Sequence, residues 1–425
     1  MKVLIIGRGG REHSLVRKFA ESPQVTQLYA APGNAGMKQQ AECLAISETD
    51  HEGLVAFAKE NEIDLTFVGP ENPLLEGLVD QFQAAELTVF GPSKAAALIE
   101  GSKHFAKQIM DKYSIPTADY QAFTAADKAE AYIRKKGAPI VIKADGLAAG
   151  KGVVVAETVD QAVDAVEDML LDKQFGDAST EIVVEEFLQG EEFSLMAFVH
   201  GENVYPMVTA KDHKRAFEGD QGPNTGGMGA FAPAQQLPEA SYDYAVEAIL
   251  KKTASALVTE GRTFTGILYA GLIQTDAGPK VIEFNARFGD PETQVVLPLL
   301  ENDLDQVLLD VLTDKDPQLK WSNQSCAGVV VASQGYPGSY QKEVPLPNWA
   351  EDGEVFAVHA GTKEMNGRYV SDGGRVLLFG AKAEQLSTAL QKVNDALGVF
   401  DSNNDFFYRR DIGRSSIVSS NQDVD

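Results

Sequence analysis

The first hundred residues alternate short apolar runs with segments whose apolar residues recur at helical spacing. The apolar runs predict strands at residues 3–6, 27–30, 65–68 and 87–90, and one of the helices between them is predicted over residues 74–82. Strands that alternate with helices predict a parallel sheet with right-handed crossovers. Ligands of such sheets bind at the carboxyl ends of the strands, where this sequence places turns rich in Gly and Pro.

The pattern changes at about residue 116, where short β-branched runs replace the regular alternation. Residues 140–143 and 153–155 flank a glycine-rich connection and predict an antiparallel pair of strands. Further strands are predicted at residues 182–184, 193–198, 267–273, 280–284, 327–332, 355–360 and 375–379, and helices at 159–171, 242–257 and 383–397. The predicted fold class is therefore mixed, with an α/β parallel-sheet domain followed by α+β domains.

Length, charge and cysteine content narrow the classes of protein. A chain of 425 residues suggests about three domains. The 37 Lys and Arg against 62 Asp and Glu give a net charge of −25, which argues against nucleic acid or an anionic membrane as a partner. The two cysteines cannot form a disulfide framework or a zinc cage. The first apolar run is too short for a signal peptide, so we expect a cytoplasmic protein.

The first glycine-rich loop follows the first predicted strand. Its Gly9 and Gly10 allow backbone N–H groups to approach an anion at a helix N-terminus, and the neighbouring Arg11 favours a phosphate or another anion. The alternative is that these glycines serve only tight packing of strand and helix. A dinucleotide fingerprint would require glycine at Glu12 and an acidic residue after the second strand, and the sequence has neither.

The second glycine-rich segment spans residues 143–152. It is not a P-loop, because Asp145 stands where glycine is required and Gly152 where Ser or Thr is required. We interpret it as a flap whose N–H groups fold over phosphates, with Lys143 as a fixed cation. A solvated hairpin with surface lysines is the alternative.

Three later segments carry further polar patterns. The strand end and connector at residues 184–192 could present backbone groups to adenine and a carboxylate to ribose, although a charged turn would look the same. Residues 212–229 form a charged cluster that leads into a long glycine-rich loop without helical or strand period. Glu283, Asn285 and Arg287 share one face of a predicted strand. Carboxylate and amide oxygens suit Mg²⁺, and a guanidinium suits a carboxylate or phosphoryl group.

Taken together, these segments resemble the ATP-grasp fold and, more narrowly, the phosphoribosylamine–glycine ligase family of purine biosynthesis. The resemblance covers essentially the whole chain. It is carried by the segments at residues 7–13, 31–36, 68–71, 101–103, 143–152, 185–192, 212–229 and 287–292. Arg8 replaces the Asn that is more common in the family. Gly271 stands where many ATP-grasp relatives have an additional metal-binding carboxylate, so the expected metal ligands are Glu283 and Asn285.

The resemblance implies a Rossmann-like N-terminal domain, a central ATP-grasp fold with a lid, and a small C-terminal α+β domain. The expected bounds are 1–102, 103–324 with the lid at about 118–190, and 325–425. It implies that ATP, glycine and 5-phosphoribosylamine give glycinamide ribonucleotide, ADP and phosphate through a glycyl phosphate, with Mg²⁺ or Mn²⁺. We expect a monomer, with a weak dimer as the alternative.

The resemblance also implies roles for individual residues. Catalysis is expected of Lys143, Asp212, Lys214 and Arg287. ATP is expected at Lys103, Lys143, Gly150, Glu185, Glu186, Leu188 and Glu192. The other substrates are expected at Gly9, Gly10, Arg11, Glu71, Asp212, Lys214, Arg287 and Arg375. The competing hypotheses are another ATP-grasp ligase with a different acid or amine, a dinucleotide-dependent oxidoreductase, and a nucleotide-binding regulatory protein without turnover.

Overall fold

The computed structural model describes residues 1–147, 152–173, 180–234, 237–349 and 353–420, with the backbone alone for residues 418–420. Within these ranges the chain forms four sheets of four or more strands and two small hairpins. No helix in this part of the chain is long and apolar enough to cross a lipid bilayer.

The N-terminal part forms a parallel sheet, as the sequence predicts. Its elements are β1 (Lys2–Gly7), α1 (Gly10–Ala20), β2 (Gln27–Pro32), β3 (Glu42–Cys43), α2 (His51–Glu60), β4 (Leu65–Val68), α3 (Glu71–Glu76), α4 (Leu78–Ala84), β5 (Val89–Phe90) and α5 (Lys94–Gly101). The strand order is β3-β2-β1-β4-β5, and every pair is parallel. The central strand β1 is buried from Val3 to Gly7, as its apolar sequence requires.

The predicted helix over residues 74–82 is wrong in one respect, because the structure has two helices there. Gly77 ends α3 with a φ of 92° and begins α4. This left-handed conformation favours glycine, and it turns the chain while the apolar spacing continues on both sides. The short strand β3 was not predicted, since two residues give no periodicity to detect.

The next part forms a separate antiparallel sheet. Its elements are α6 (Lys103–Lys112), β6 (Tyr120–Phe123), α7 (Ala126–Lys136), β7 (Ile140–Ala144), β8 (Val153–Ala156), α8 (Val159–Leu170) and β9 (Ile182–Glu186). The order β6-β9-β7-β8 confirms the predicted antiparallel pair around the glycine-rich connection. This sheet and its two helices bury their own apolar cluster, which includes Ile142 and Val166. Gly150 lies outside the described residues.

The central part carries the longest strands. Its elements are β10 (Glu191–His200), β11 (Asn203–Pro206), β12 (Lys211–Asp212), β13 (Arg215–Phe217), β14 (Gln221–Asn224), β15 (Gly229–Ala232), α9 (Glu239–Tyr244), α10 (Lys252–Thr259), β16 (Thr265–Thr275), β17 (Gly278–Asn285), α11 (Thr293–Val296) and α12 (Leu304–Leu312). The sheet order is β11-β10-β16-β17. A π-helical segment, Ala245–Lys251, joins α9 to α10, so the predicted helix 242–257 lies inside one longer helical stretch.

Residues 212–215 were predicted as a charged cluster that leads into a glycine-rich loop at 222–229 without strand period, and the second prediction is wrong in part, because β14 covers residues 221–224 and only residues 225–228 lie outside a strand. The segment contains the hairpin of β13 and β14, and it is bounded by β12 and β15. Its strands are two to four residues long and contain Gly, Pro and charged residues, so no alternating pattern could develop.

The C-terminal part completes the third large sheet. Its elements are β18 (Ser325–Ser333), β19 (Val355–His359), β20 (Thr362–Met365), β21 (Arg368–Ser371), β22 (Arg375–Ala383), α13 (Leu386–Leu397), β23 (Phe406–Phe407) and α14 (Arg414–Ser420). The sheet order is β12-β15-β18-β22-β19, with β23 also paired to β18. Since β12 and β15 come from residues 211–232, this sheet extends across residue 325, where the last domain was predicted to begin. Ala383 ends β22 and does not begin the last predicted helix.

Candidate active site

The end of β17 is the centre of a polar cluster. Glu283 and Asn285 are among the last three residues of this strand, and Arg287 follows two residues after its end. The Arg287 Nη2 donates a hydrogen bond to Asn285 Oδ1 at 3.3 Å, so these two side chains lie on the same side, as predicted. The strand itself stops at Asn285, so Arg287 belongs to the following turn.

Two carboxylates from the N-terminal part contact Arg287. Glu71, at the start of α3, accepts a hydrogen bond from Arg287 Nε at 3.2 Å. Glu100, in the last turn of α5, places Oε1 at 2.9 Å from Arg287 Nη2. Glu71 was predicted as a site residue and Glu100 was missed.

A group of buried lysines lies beside this cluster. Lys143 donates to Glu185 Oε2 at 3.0 Å and to the carbonyl of Ile282 at 2.9 Å. Lys107 lies 3.2 Å from the same Glu185 oxygen. Burial lowers the pKa of Lys107 to about 8, although the Glu185 carboxylate opposes this shift. The sequence did not single out Lys107, which is one helical turn after Lys103.

Lys103 and Glu283 belong to the same electrostatic cluster. Lys103 donates to the carbonyl of Gly146 at 3.1 Å, and burial lowers its pKa despite the nearby Glu283. For Glu283, burial favours a higher pKa, but Lys214, Lys143 and Lys103 outweigh this effect and hold the pKa below its ordinary value. Glu283 is therefore an ionised carboxylate among ammonium groups.

Asp212, on strand β12, and Lys214, two residues later, interact electrostatically with Glu283. Burial raises the pKa of Asp212 to about 7, even though Lys214 opposes the shift. The Asp212 charge in turn raises the pKa of Lys214 well above its ordinary value. Lys214 also lies 3.4 Å from Glu192 Oε2. These two predicted residues therefore belong to the polar cluster, and the charge of each shifts the pKa of the other.

A buried hydrogen-bonded group lies next to Asp212 and was missed by the sequence analysis. Tyr269 on β16 donates its hydroxyl to Glu292 Oε1 at 2.5 Å, and Ser194 Oγ lies 2.8 Å from the same hydroxyl. The Glu292 charge is one of the causes of the high Asp212 pKa. Glu292 belongs to the segment at residues 287–292, which is one of those that carry the family resemblance. The sequence of that segment alone does not indicate that Glu292 contacts residues on β10 and β16.

The first glycine-rich loop faces this cluster from the N-terminal sheet. The backbone N–H of Gly9 donates to Glu12 Oε2 at 2.7 Å, and the N–H of Arg11 points to Asp290 Oδ2 at 3.4 Å. The Arg11 side chain is buried, pairs with Glu12 at 2.5 Å and donates to the carbonyl of Phe288 at 3.1 Å. Two of the N–H groups at this helix N-terminus are thus directed at carboxylates of the chain itself. Glu71 lies 4.0 Å from Arg11 and links this loop to Arg287.

Arg375 connects the C-terminal sheet to the same region. Its Nη1 donates to the carbonyls of Gly226 and Asp290, both at 2.7 Å, and lies 3.3 Å from Asp290 Oδ1. Asp290 therefore stands between Arg375 and the N–H of Arg11. The predicted residues from the first and last parts of the chain meet at this aspartate.

The residues predicted to contact adenine and ribose lie on β9 and the connector to β10. The Glu185 side chain is buried against Lys107 and Lys143, whereas Glu186 is exposed and donates its N–H to the carbonyl of Asp119 at 2.9 Å. Leu188 is half-buried and Glu192 is exposed. The structure therefore places this connector at the rim of the lysine cluster.

Glu283 and Asn285 offer oxygen atoms that could bind a divalent cation. Gly271 lies directly opposite Glu283 in the register of β16 and β17, so its lack of a side chain leaves the pair without a third ligand there. Within the described ranges no three His, Cys, Asp or Glu residues form a ready metal cluster. Two oxygen ligands suit Mg²⁺, which retains waters and substrate phosphates in its shell.

A cavity of about 590 Å³ lies elsewhere, near β11 and α9. Its walls include the aromatic side chains of Tyr205, Tyr242 and Trp321. None of the predicted site residues lines this cavity.

Comparisons with known proteins identify the class and then the family. Residues 101–293 match the model described as the phosphoribosylglycinamide synthetase ATP-grasp (A) domain, which places the chain among ATP-grasp proteins. Residues 1–100 and 326–415 match the N and C domains of the same synthetase. The chain belongs to the phosphoribosylglycinamide synthetase family.

Close relatives cover the whole chain. It is 57% identical over 419 residues to a phosphoribosylamine–glycine ligase of Halalkalibacterium halodurans, covering 98% of both chains. It is 54% identical over 417 residues to the ligase of the same name from Listeria innocua, covering 97% of this chain and 99% of the relative.

Solved structures agree with this assignment. The crystal structure of phosphoribosylamine–glycine ligase from Thermotoga maritima matches with a TM-score of 0.85 and 31% identity, over 97% of this chain and 100% of the other. A biotin carboxylase–beta-gamma-ATP complex from Campylobacter jejuni matches at a TM-score of 0.72 and 17% identity, over 96% of this chain and 91% of the other, which shows the fold alone.

Proposed function

We propose that this protein joins glycine to 5-phosphoribosylamine with ATP, giving glycinamide ribonucleotide, ADP and phosphate. The observation that carries the proposal is the 57% identity to a phosphoribosylamine–glycine ligase over 98% of both chains. The polar cluster around Arg287 supplies the chemistry that such a reaction requires.

The reaction we propose has two steps. A carboxylate oxygen of glycine attacks the γ-phosphorus of ATP, the bond from that phosphorus to ADP breaks, and glycyl phosphate forms. The nitrogen of phosphoribosylamine then attacks the glycyl carbon, phosphate leaves with the electron pair of its bond, and the nitrogen loses a proton.

The first step brings two anions together. Two unit charges 4 Å apart repel each other by roughly 4 kcal/mol at an effective dielectric of 20. In our proposal the positive charges of Lys103, Lys143 and Arg287 offset this repulsion. Positioning and charge stabilisation account for most of catalysis in phosphoryl transfer.

A divalent cation completes this arrangement in our proposal. We assign Mg²⁺ or Mn²⁺ to Glu283 and Asn285, whose oxygens fit a hard cation. When bound, it would neutralise charge on the ATP phosphates. The ionised state of Glu283 among the lysines suits this role.

The remaining ATP contacts are assigned to the connector after β9 and to the flap. We propose that backbone groups of Glu185, Glu186 and Leu188 bind adenine and that the Glu192 carboxylate binds ribose. Gly150, which lies outside the described residues, is assigned to the phosphates through the flap. Closure of the flap would exclude water from the acyl phosphate.

The sugar phosphate is assigned to the space between the first and last parts of the chain. Gly9, Gly10 and Arg11 would contact it from one side, together with Glu71, and Arg375 from the other. Because Glu12 and Asp290 now accept the N–H groups of Gly9 and Arg11, phosphate binding there requires these carboxylates to give way. Asp212 and Lys214 would enclose the acceptor amine.

We also propose that the chain divides into the units 1–102, 103–324 and 325–425. We propose that it is a monomer and that it is located in the cytoplasm. The family models match residues 1–100, 101–293 and 326–415, and the second of them ends before the proposed unit 103–324 does.

The proposed function is tested by measuring ADP release with each substrate omitted in turn. We expect rapid release only when ATP, glycine, phosphoribosylamine and a divalent cation are all present, and a product with the mass of glycinamide ribonucleotide. Replacement of glycine by alanine or another amino acid is the specificity control. ADP release that does not depend on glycine would overturn the proposal and favour another ATP-grasp ligase.

A further inference from the structure

Glu100 is a buried carboxylate that the proposed mechanism does not use. Its side chain is only 5% exposed, and both of its oxygens are directed at the turn after β17. Oε1 lies 2.9 Å from Arg287 Nη2, and Oε2 accepts the backbone N–H of Ala286 at 2.7 Å. One side chain of α5 therefore fixes both the backbone and the guanidinium at the end of a strand nearly two hundred residues later in the chain.

Glu71 contacts the same guanidinium but in a different setting. Its side chain is 32% exposed, and it lies 3.2 Å from Arg287 Nε. A half-exposed carboxylate can be displaced by an incoming substrate anion, whereas a carboxylate enclosed by protein cannot. Of the two, Glu100 is the permanent partner of Arg287.

The contacts of Arg287 show that Glu100 determines the orientation of its guanidinium. Its Nη2 also donates to Asn285 Oδ1, at 3.3 Å, and its Nη1 donates to the carbonyl of Phe288, also at 3.3 Å. A guanidinium carries five N–H groups in a fixed plane, so fixing Nη2 fixes the direction of the remaining ones. Among the residues that the structure describes, Glu71 is the other carboxylate that forms an ion pair with Arg287, so without the charge of Glu100 the guanidinium would keep Glu71 alone of these two.

Burial of Glu100 also disfavours its charged form. Burial and the nearby Glu71 charge raise its pKa, and only Arg287, Arg11 and the Ala286 N–H oppose this. Buried ion pairs of this kind add little net stability compared with an apolar pair, so stability alone is a poor reason for one here.

We propose that Glu100 is a positioning residue that holds the Arg287 guanidinium in the orientation needed for the glycine carboxylate and the transferring phosphoryl group. This inference rests on the proposed function, since it gives Arg287 its role. Glu100 itself touches no substrate, and its effect passes through Arg287.

The test uses the full-length Glu100→Gln variant. Glutamine keeps the size of the side chain and an oxygen that can accept the Ala286 N–H, but it removes the charge from Arg287. We expect kcat/KM for glycine to fall by about tenfold or more, while KM for ATP changes by less than about twofold. The matched control is Asp305→Asn, because Asp305 on α12 is also a buried carboxylate and makes no contact with Arg287. We expect the control to leave both constants unchanged.

A double variant separates positioning from a general structural role. In an Arg287→Lys background, Glu100→Gln should lower kcat/KM for glycine by less than about twofold, because the group through which it acts is gone. Independent, multiplying effects in the double variant, or a parallel rise in KM for ATP, would overturn the proposal. If Glu100→Gln does not fold, Glu100→Asp is used instead, because it keeps the charge but moves the carboxylate oxygens away from Arg287. We then expect a smaller fall in kcat/KM for glycine, again with little change in KM for ATP.

A crystal structure of Glu100→Gln tests the orientation of Arg287 without any measurement of activity. We expect the Arg287 guanidinium to lose its contact with Asn285 and to turn towards Glu71. An unchanged Arg287 would refute the positioning role even if the enzyme were active. Conversely, a displaced Arg287 in a protein without glycine-dependent ADP release would show that Glu100 orients Arg287 but would reject the proposed function, and with it the purpose given to that orientation.

Discussion

Lowering the pH should weaken the contact between the first helix and the C-terminal sheet. His359 on β19 is 5% exposed and donates its backbone N–H to His13 Nδ1 on α1 at 2.8 Å. Burial and, as a smaller effect, the charge of Arg17 lower the pKa of His359 to about 4. Burial and the neighbouring His359 also lower the pKa of His13. Both rings are therefore neutral in the folded protein.

The sign and size of the effect follow from proton linkage. A histidine whose folded pKa is depressed contributes stability that is present above its unfolded pKa of about 6.5 and is lost as the pH falls towards the folded value. For His359 alone, a folded pKa of about 4 makes the free energy of unfolding about 2 kcal/mol lower at pH 5 than at pH 7. His13 should add to this loss, since its pKa is shifted in the same direction.

The assay is urea unfolding at pH 7 and pH 5, followed by tryptophan fluorescence. The chain has two tryptophans, and the Trp349 ring lies 5.7 Å from that of His359, so Trp321→Phe leaves a single probe beside the contact. In this background His359→Gln should remove about 2 kcal/mol of the difference between the two pH values. The control Thr362→Val removes the hydroxyl 2.8 Å from His359 Nδ1 and should leave the pH dependence in place. Equal pH dependence with and without the His359 ring would refute the reasoning.

Three further predictions concern other parts of the molecule. Glu283→Gln should abolish metal-dependent ADP release while the thermal midpoint stays close to that of the parent, and full activity in this variant would contradict the assigned metal site. Gly77→Ala should lower the free energy of unfolding by about 1 kcal/mol, because the φ of 92° between α3 and α4 is unfavourable for alanine; an unchanged urea midpoint would argue against this account. The folded pKa of Lys107, about 8, is depressed, so its contribution to stability should rise as the pH increases from about 8 to 10.5. Lys107→Met should lack this rise, and identical pH profiles would contradict it.

The fold was predictable where burial imposes a simple period. The strands of the first sheet lie within or close to their predicted bounds because parallel strands covered on both faces consist of continuous apolar runs. Apolar spacing could not show the break at Gly77, since both helices bury residues with the same period. The short strands between residues 211 and 232 gave no pattern, because their pairing with β18 is decided by tertiary contacts.

The candidate site was predictable as far as single segments carry chemistry. Glu283, Asn285 and Arg287 follow from one strand, and the structure places Asn285 and Arg287 in contact. Glu100 could not be found in this way, because nothing near it in the sequence indicates a partner at Arg287. A charged residue among the buried alanines and isoleucine of α5 was the one available signal.

The most direct test of the central claim is a crystal structure with a non-hydrolysable ATP analogue and Mg²⁺. We predict that the triphosphate lies against Lys103 and Lys143 and that the cation is bound by Glu283 and Asn285, with Arg287 facing the γ-phosphate. A nucleotide bound away from the end of β17, for example in the cavity beside Trp321, would contradict the account.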